Sequence, residues 1–230
     1  MDVSLRSALE RRHEEVLERI ADAARRSGRA PDDVLLVAIS KTFGIDVVLT
    51  AIEAGISDLG ENRAQEFKQK VAMLGDQARW HFVGYLQTNK ARDVVGAATL
   101  IHSVDRYGLA EAIGARATRA GIVQDVLVEC NVSGERSKHG VEPGQTVPLA
   151  EAIATIEGIR VCGLMTMTPL QADPQQTRSI FAGLRELRDR LALVLPGATD
   201  LSMGMTRDFE VAIEEGATIV RIGVAIFGPR

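Results

Sequence analysis

Eight short apolar runs, most of them followed by a helical stretch, pattern this chain from end to end, and that alternation constrains the fold more than any other feature. The first run, Val34-Leu35-Leu36-Val37-Ala38-Ile39, is uninterrupted. A strand apolar on both faces is covered on both, as in parallel sheets. The remaining strand candidates span residues 58–60, 80–83, 100–103, 123–130, 160–165, 200–203 and 218–222. Helical stretches fall at about 46–54, 64–73, 89–95, 106–120, 147–157, 175–195 and 209–215. Strands alternating with helices build right-handed parallel units. Eight such units close into a (β/α)8 TIM barrel, for which roughly 200–250 residues is ordinary, and the chain has 230. An open doubly wound sheet is the alternative, but no glycine-rich dinucleotide loop follows the first strand. Upstream, Leu5, Leu9, Val16, Ile20 and Ala24 recur at helical spacing and Ser27-Gly28 ends the pattern. We therefore expect one α/β domain over 1–230, a barrel with an extra N-terminal helix (residues 1–30) packed outside it.

Charge and cysteine usage narrow the class. Lys plus Arg number 27 against 31 Asp plus Glu, a net charge of −4. That lacks the basic excess that nucleic-acid backbones select, so no nucleic-acid partner is expected. A membrane span needs ~20 mostly apolar residues; the best run, 217–227, is short and carries Arg221. The N-terminus mixes acids and bases throughout and does not read as a signal peptide. Cys130 and Cys162 sit in apolar runs without a partner at metal-ligand spacing, which predicts buried, reduced thiols, no metal site and a cytoplasmic protein.

In a barrel of this kind the chemistry lies at the C-terminal ends of the strands. Lys41 directly follows the first apolar run, so it stands at the rim of the mouth. A lysine desolvated beside other cations becomes a free amine able to attack a carbonyl, and we expect Arg63 and Arg221 to be those cations. The last two loops read as a phosphate cradle. Ser202-Met203-Gly204-Met205-Thr206 offers two hydroxyls and a glycine, and Gly223 precedes a short terminal stretch at 224–227 whose leading amides are free. His81 either stacks or hydrogen-bonds at the mouth or is a satisfied structural histidine. Asp105 or Ser103 caps the helix after His102. Residues 131–140 read as a mobile rim loop with Lys138 solvated, and Met203 and Met205 as packing residues rather than metal ligands. A desolvated lysine and a phosphate cradle at one mouth fit a phosphorylated aldehyde held as an imine, either pyridoxal 5′-phosphate or a sugar phosphate.

Several segments go further. Ile39-Ser40-Lys41-Thr42, Gly60-Glu61-Asn62-Arg63, Trp80-His81-Phe82-Val83-Gly84-Tyr85-Leu86-Gln87-Thr88-Asn89-Lys90, His102-Ser103-Val104-Asp105, Gly163-Leu164-Met165, Leu201-Ser202-Met203-Gly204-Met205-Thr206 and Val220-Arg221-Ile222-Gly223 resemble the pyridoxal phosphate homeostasis protein family. Its members are also described as YggS-like or proline synthase co-transcribed proteins. The resemblance implies a barrel like the alanine racemase N-terminal domain without the second, β-rich domain. It implies that Lys41 forms the internal aldimine, and that Ser202, Met203, Gly204, Thr206 and Gly223 lie on the phosphate-binding loops. Arg221 would face the pyridine nitrogen, and Asn62 and His81 would line the pocket. The implied role is a carrier or regulator of the cofactor, affecting amino-acid and keto-acid balance, without catalytic residues of its own. Its partners would be pyridoxal 5′-phosphate and the apoenzymes that depend on it, and its state a monomer or weak dimer. The alternative is a racemase-like enzyme or a Schiff-base aldolase on a sugar phosphate. Little turnover is expected, because the chain ends at Arg230 without a second domain and neither Tyr85 nor Tyr107 matches a racemase base. Gly44 replaces the family's common proline, and Thr206 the commoner serine, which keeps the hydroxyl.

Overall fold

Side chains in a strand alternate between faces, and in this chain that alternation separates two apolar cores. In the computed structural model, which describes residues 3–135 and 137–229, Val37, Ile39, Leu100, Leu127, Met165 and Ile219 form a cluster inside a ring of strands. Their outward neighbours, among them Ala38, Ile101, Val126, Val128, Val220 and Ile222, form the larger core beneath the helices. Each fully buried large side chain contributes about 1.5–3 kcal/mol. The two cores follow directly from strands that are apolar on both faces.

The elements run α1 (Val3–Arg26), β1 (Leu35–Ile39), α2 (Ile45–Glu53), β2 (Asp58–Glu61), α3 (Ala64–Leu74) and β3 (Arg79–Phe82). They continue with β4 (Leu100–Val104), α4 (Tyr107–Ala120), β5 (Gln124–Glu129), α5 (Pro143–Ala154) and β6 (Ile159–Met165). Next come α6 (Pro174–Ala192), β7 (Asp200–Ser202), α7 (Phe209–Glu214), β8 (Ile219–Ile222) and α8 (Val224–Phe227). All neighbouring strands pair in parallel, and β8 returns to β1 to close the barrel. The TIM barrel with an N-terminal helix is therefore the observed fold.

Two departures from the expected elements have local causes. The crossover after β3 is a 3-10 helix, Thr88–Asp93, rather than an α-helix. Its one buried residue is Ala91, whose carbonyl accepts the amide of the capping Val94, itself buried, at 3.2 Å, the i to i+3 bond of a 3-10 turn. Helix α5 starts at Pro143, well before Val147, because proline is well placed in a first turn where no amide partner is needed. Helix α1 buries Leu9, Val16, Ile20, Ala23 and Ala24 and packs across α7 and α8. Arg19 lies 4.6 Å above the Phe209 ring and donates to Glu210 at 2.9 Å.

Candidate functional site

The alternation that buries Val37 and Ile39 inside the barrel carries Lys41 inward as well, just past the end of β1. There it lines a cavity of about 500 Å3 at the C-terminal end of the strands. Phe43, Thr168, Leu170, Met205, Thr206, Arg207, Asp208, Arg221, Gly223 and Val224 share that cavity. Four predicted site residues therefore meet: Lys41, Thr206, Arg221 and Gly223. Thr42 turns the chain beside Lys41 at φ 71°, the one non-glycine residue at positive φ among those described. Phe43 then stacks on Phe227 with ring centroids 5.0 Å apart, tying the Lys41 loop to α8.

The far wall of the cavity is a loop pinned by Asp208. Asp208 accepts the Met205 amide and the Thr168 hydroxyl, each at 2.6 Å, and so fixes the loop that presents Thr206. In the single turn of α8 the Ile226 and Phe227 amides donate to the Gly223 carbonyl at 3.0 and 2.9 Å, and the Val224 and Ala225 amides before them have no partner within the helix. Lys41, Arg207 and Arg221 place three cations on the lining against the single carboxylate of Asp208. Arg207 is a member that sequence reasoning missed, although it directly follows Thr206.

Arg221 is 4% exposed. It points inward from β8, donating Nη1 to Ser202 Oγ at 2.5 Å and Nη2 to the Thr166 carbonyl at 2.9 Å. Burial lowers its pKa to about 10, with Glu129 and Asp208 opposing the change, so it stays charged at neutral pH.

Other expected residues lie elsewhere. Strand β7 includes Ser202, whose hydroxyl sits inside the barrel, fully buried, bound to His102 Nδ1 at 2.8 Å and to Arg221. It supports Arg221 rather than lining the cavity. Met203 points the other way, into the outer core, and its amide is bonded to the Ile219 carbonyl. Gly204, at φ +93°, packs on α7; a Cβ there would stand 2.6 Å from the Ala212 Cβ. Asn62 follows β2, half-buried, and its amide makes no hydrogen bond among the described residues. His81 is not at the mouth. It lies in the barrel interior and reaches a second cavity, of about 510 Å3, at the opposite end, together with Asp125, Cys162 and Asp200.

His81 instead belongs to a chain through the barrel axis. Its Nε2 lies 3.2 Å from Asp58 Oδ1 and its Nδ1 3.0 Å from His102 Nε2. With Ser202 accepting from Arg221, its hydroxyl donates to His102. His102 Nε2–H then donates to His81 and His81 Nε2–H to Asp58, so every group is satisfied with both rings neutral. Burial, with His81 and Arg221 nearby, holds the His102 pKa well below the usual range, consistent with that assignment. At the far end burial works against the Asp58 charge, but hydrogen bonds from His81, Arg79 and Ser57 outweigh it and keep the carboxyl ionised.

Three further residues revise the sequence reading. Arg63 is exposed and lies toward α3, outside the Lys41 cavity; the second cation there is Arg207. Glu129, 2% exposed at the end of β5, faces inward, and its carboxyl has no hydrogen-bond partner among the described residues. Burial and the Asp105 charge push it up to about 7, with Arg221 pulling the other way. Cys162 is half-buried rather than buried, whereas Cys130 is buried; burial pushes both thiols up to about 11. In the segment 131–140, Arg136 lies outside the described residues. The turn before it is bonded through Asn131, Ser133 and Glu135, and His139 stacks on Tyr85 at 4.1 Å. Among the described residues no group of His, Cys, Asp and Glu could hold a metal ion, and no helix is long and apolar enough to cross a membrane.

Comparison with known proteins places the sequence and the fold. The sequence matches the family described as alanine racemase, N-terminal domain, over residues 14–230. The pyridoxal phosphate homeostasis protein of Aquifex aeolicus (strain VF5) is 48% identical, over 94% of this chain and 95% of its own. The crystal structure of an unknown protein from Bifidobacterium adolescentis superposes with a TM-score of 0.94 at 38% identity, covering 99% of this chain and 97% of that one. PipY of Synechococcus elongatus PCC7942, with PLP bound, gives a TM-score of 0.79 at 32% identity, covering 91% and 100%. A closed parallel barrel with a lysine at its mouth thus comes with extensive sequence identity over nearly the whole chain, and the chain belongs to the pyridoxal phosphate homeostasis protein family, within the alanine racemase N-terminal domain fold.

Proposed function

We propose that this chain binds pyridoxal 5′-phosphate at the barrel mouth and acts in its homeostasis in the cytoplasm, as a carrier rather than a turnover enzyme. The observation that carries this reading is that Lys41, Thr206, Arg221 and the start of α8 all line one cavity. The residues fit the group: a primary amine for an aldehyde, a hydroxyl with helix amides for a phosphate, a guanidinium for a ring nitrogen, and Ile39, Phe43 and Leu170 for the ring. When bound, the cofactor supplies an aldehyde that amines capture and release, and an electron-accepting ring. Lys41 provides the attachment point, Thr206 and α8 bind and orient the phosphate, and Asp208 keeps their loop in place. PipY, 32% identical, has been solved with PLP bound, which supports that cofactor as the ligand of this chain.

Arg221 also bears on turnover. Most enzymes of this cofactor keep the ring nitrogen protonated with a carboxylate, which makes the ring an electron sink. A guanidinium that stays charged at neutral pH only donates to that nitrogen. Tyr85 is held by His139 and Tyr107 is exposed; neither lines the cavity. A positioned acid–base group is worth ~10²–10⁴ in rate. The purified protein, titrated with pyridoxal 5′-phosphate, should develop absorbance near the violet edge and pass the cofactor to apoenzymes as a monomer or weak dimer. Its alanine racemisation should stay far below the ~10 s⁻¹ typical of enzymes. Racemisation at that rate, lost in Lys41→Ala, would establish the enzyme instead.

A further inference from the structure

Ser40, just past the end of β1, and Glu61, at the end of β2, both point outward from the barrel wall, under α3. Between them stands Lys70, 3% exposed, a lysine removed from water. Its ammonium donates to Glu61 Oε1 at 2.6 Å, to Glu66 Oε1 at 3.0 Å and to the Ser40 carbonyl at 2.8 Å, which uses all three of its hydrogens. Glu61 Oε1 also accepts the Ser40 hydroxyl at 2.6 Å, and Glu66 Oε1 accepts the Thr42 amide. The residues immediately before and after Lys41 are therefore tied to one buried charge cluster. Thr42 is held in the left-handed region at φ 71°, which a β-branched side chain avoids unless its surroundings impose it.

We propose that Lys70 is the positioning residue of Lys41: through Glu61, Glu66 and Ser40 it holds the turn that aims the Lys41 amine into the barrel mouth. The cluster is poorly built for stability alone. Glu61 is fully buried and its Oε2 has no partner, and buried ion pairs seldom repay their desolvation. Its bonds converge instead on the two neighbours of one lysine. Released from Glu66, Thr42 relaxes to negative φ, and the peptide that orients Lys41 rotates with it. The inference rests on Lys41 being the attachment point proposed above.

Attachment joins the lysine nitrogen to the aldehyde carbon and expels the carbonyl oxygen, with both hydrogens of the neutral amine, as one water. Its rate is read from visible absorbance after mixing with pyridoxal 5′-phosphate across a range of pH. Affinity for pyridoxine 5′-phosphate, which has no aldehyde, is measured in parallel. Misorienting a reacting group by about an ångström costs up to ~10²-fold, so Lys70→Met should slow attachment about tenfold or more and change the analogue's affinity less than about threefold. Glu66→Ala, at a partly exposed position where folding is secure, should show a smaller loss of the same kind. Adding Thr42→Gly to Glu66→Ala should recover part of the rate, because glycine takes positive φ without steric cost. Wild-type rates with an unchanged pH profile in both single variants would overturn the inference. So would parallel loss of rate and analogue affinity, or no recovery with Thr42→Gly. A wild-type protein that attaches nothing would instead remove the functional reading, and this inference with it.

Discussion

The two buried cations nearest the cavity chemistry, Arg221 and the Lys70 that braces Lys41, are supported on opposite sides of the barrel wall and by opposite means. Outside the strands, Lys70 is held by two carboxylates and a carbonyl in a compact ionic cluster. Inside them, Arg221 ends a chain of neutral groups, Ser202, His102 and His81, that meets a carboxylate only at Asp58. The difference follows from the space available. The layer under α3 admits long side chains from a helix, whereas the barrel axis admits only what the strands supply. A charge in the axis must therefore be satisfied by short polar groups relayed end to end. The outer cluster fixes where an amine points, and the inner chain fixes where a charge sits.

Breaking the comparison at its ends gives the largest effects. Lys41→Ala should abolish covalent attachment of pyridoxal 5′-phosphate while leaving the fold and some phosphate-dependent affinity, as measured by absorbance and by circular dichroism. Persistence of the full absorbance change would place attachment at another lysine, such as Lys138. Ser202→Ala breaks the inner chain. It leaves an Arg221 donor and a His102 nitrogen unpaired in the interior, each at about 1–3 kcal/mol, for a loss of roughly 4 kcal/mol in urea unfolding. Pyridoxal and pyridoxal 5′-phosphate should lose affinity alike. A loss confined to the phosphorylated ligand would put Ser202 at the phosphate after all.

Glu129 sharpens the comparison, since it faces the Arg221 side without belonging to either network. Its pKa rises from 4.5 to about 7 on folding. The folded state therefore keeps a proton that the unfolded chain has lost. The corresponding stability is fully present below about pH 4.5 and is lost as pH rises through about 7, by about 3 kcal/mol. The difference between wild-type and Glu129→Gln unfolding curves should follow that slope, with the variant gaining most in alkaline solution. Parallel curves across the range would mean that the Glu129 pKa does not change on folding. The smallest change is Thr206→Ala. Losing one hydrogen bond to an anion, at about 1.5 kcal/mol, should weaken pyridoxal 5′-phosphate roughly tenfold and leave pyridoxal unaffected.

How much of this was legible follows from what each residue's signal depends on. The barrel was readable because apolar runs and helical spacing are local. Lys41 and Arg221 are legible because alternation is local: it runs from Val37 and Ile39 past the end of β1 to Lys41, and within β8 from Ile219 to Arg221. The same alternation turns Met203 outward, where it packs in the outer core as its reading as a packing residue has it, and Glu129 inward; Glu129 was available and missed. Depth was not available. Ser202 ends β7 and His81 lies within β3, and the height of each in the barrel depends on register and closure, which the sequence of one strand does not contain. Lys70, Glu61 and Glu66 read as an ordinary solvated helix face and a loop. Only the packing of α3 over β1–β2 makes them a buried cluster.

The central claim is that the barrel-mouth cavity holds pyridoxal 5′-phosphate through Lys41. Its most direct test is to load the purified protein, reduce it with borohydride, digest it and locate the modified lysine by mass spectrometry. The account predicts one stoichiometric pyridoxyl modification, at Lys41, prevented by prior occupation with excess pyridoxine 5′-phosphate. No modification, or modification spread over Lys68, Lys90 and Lys138 without protection, would contradict it.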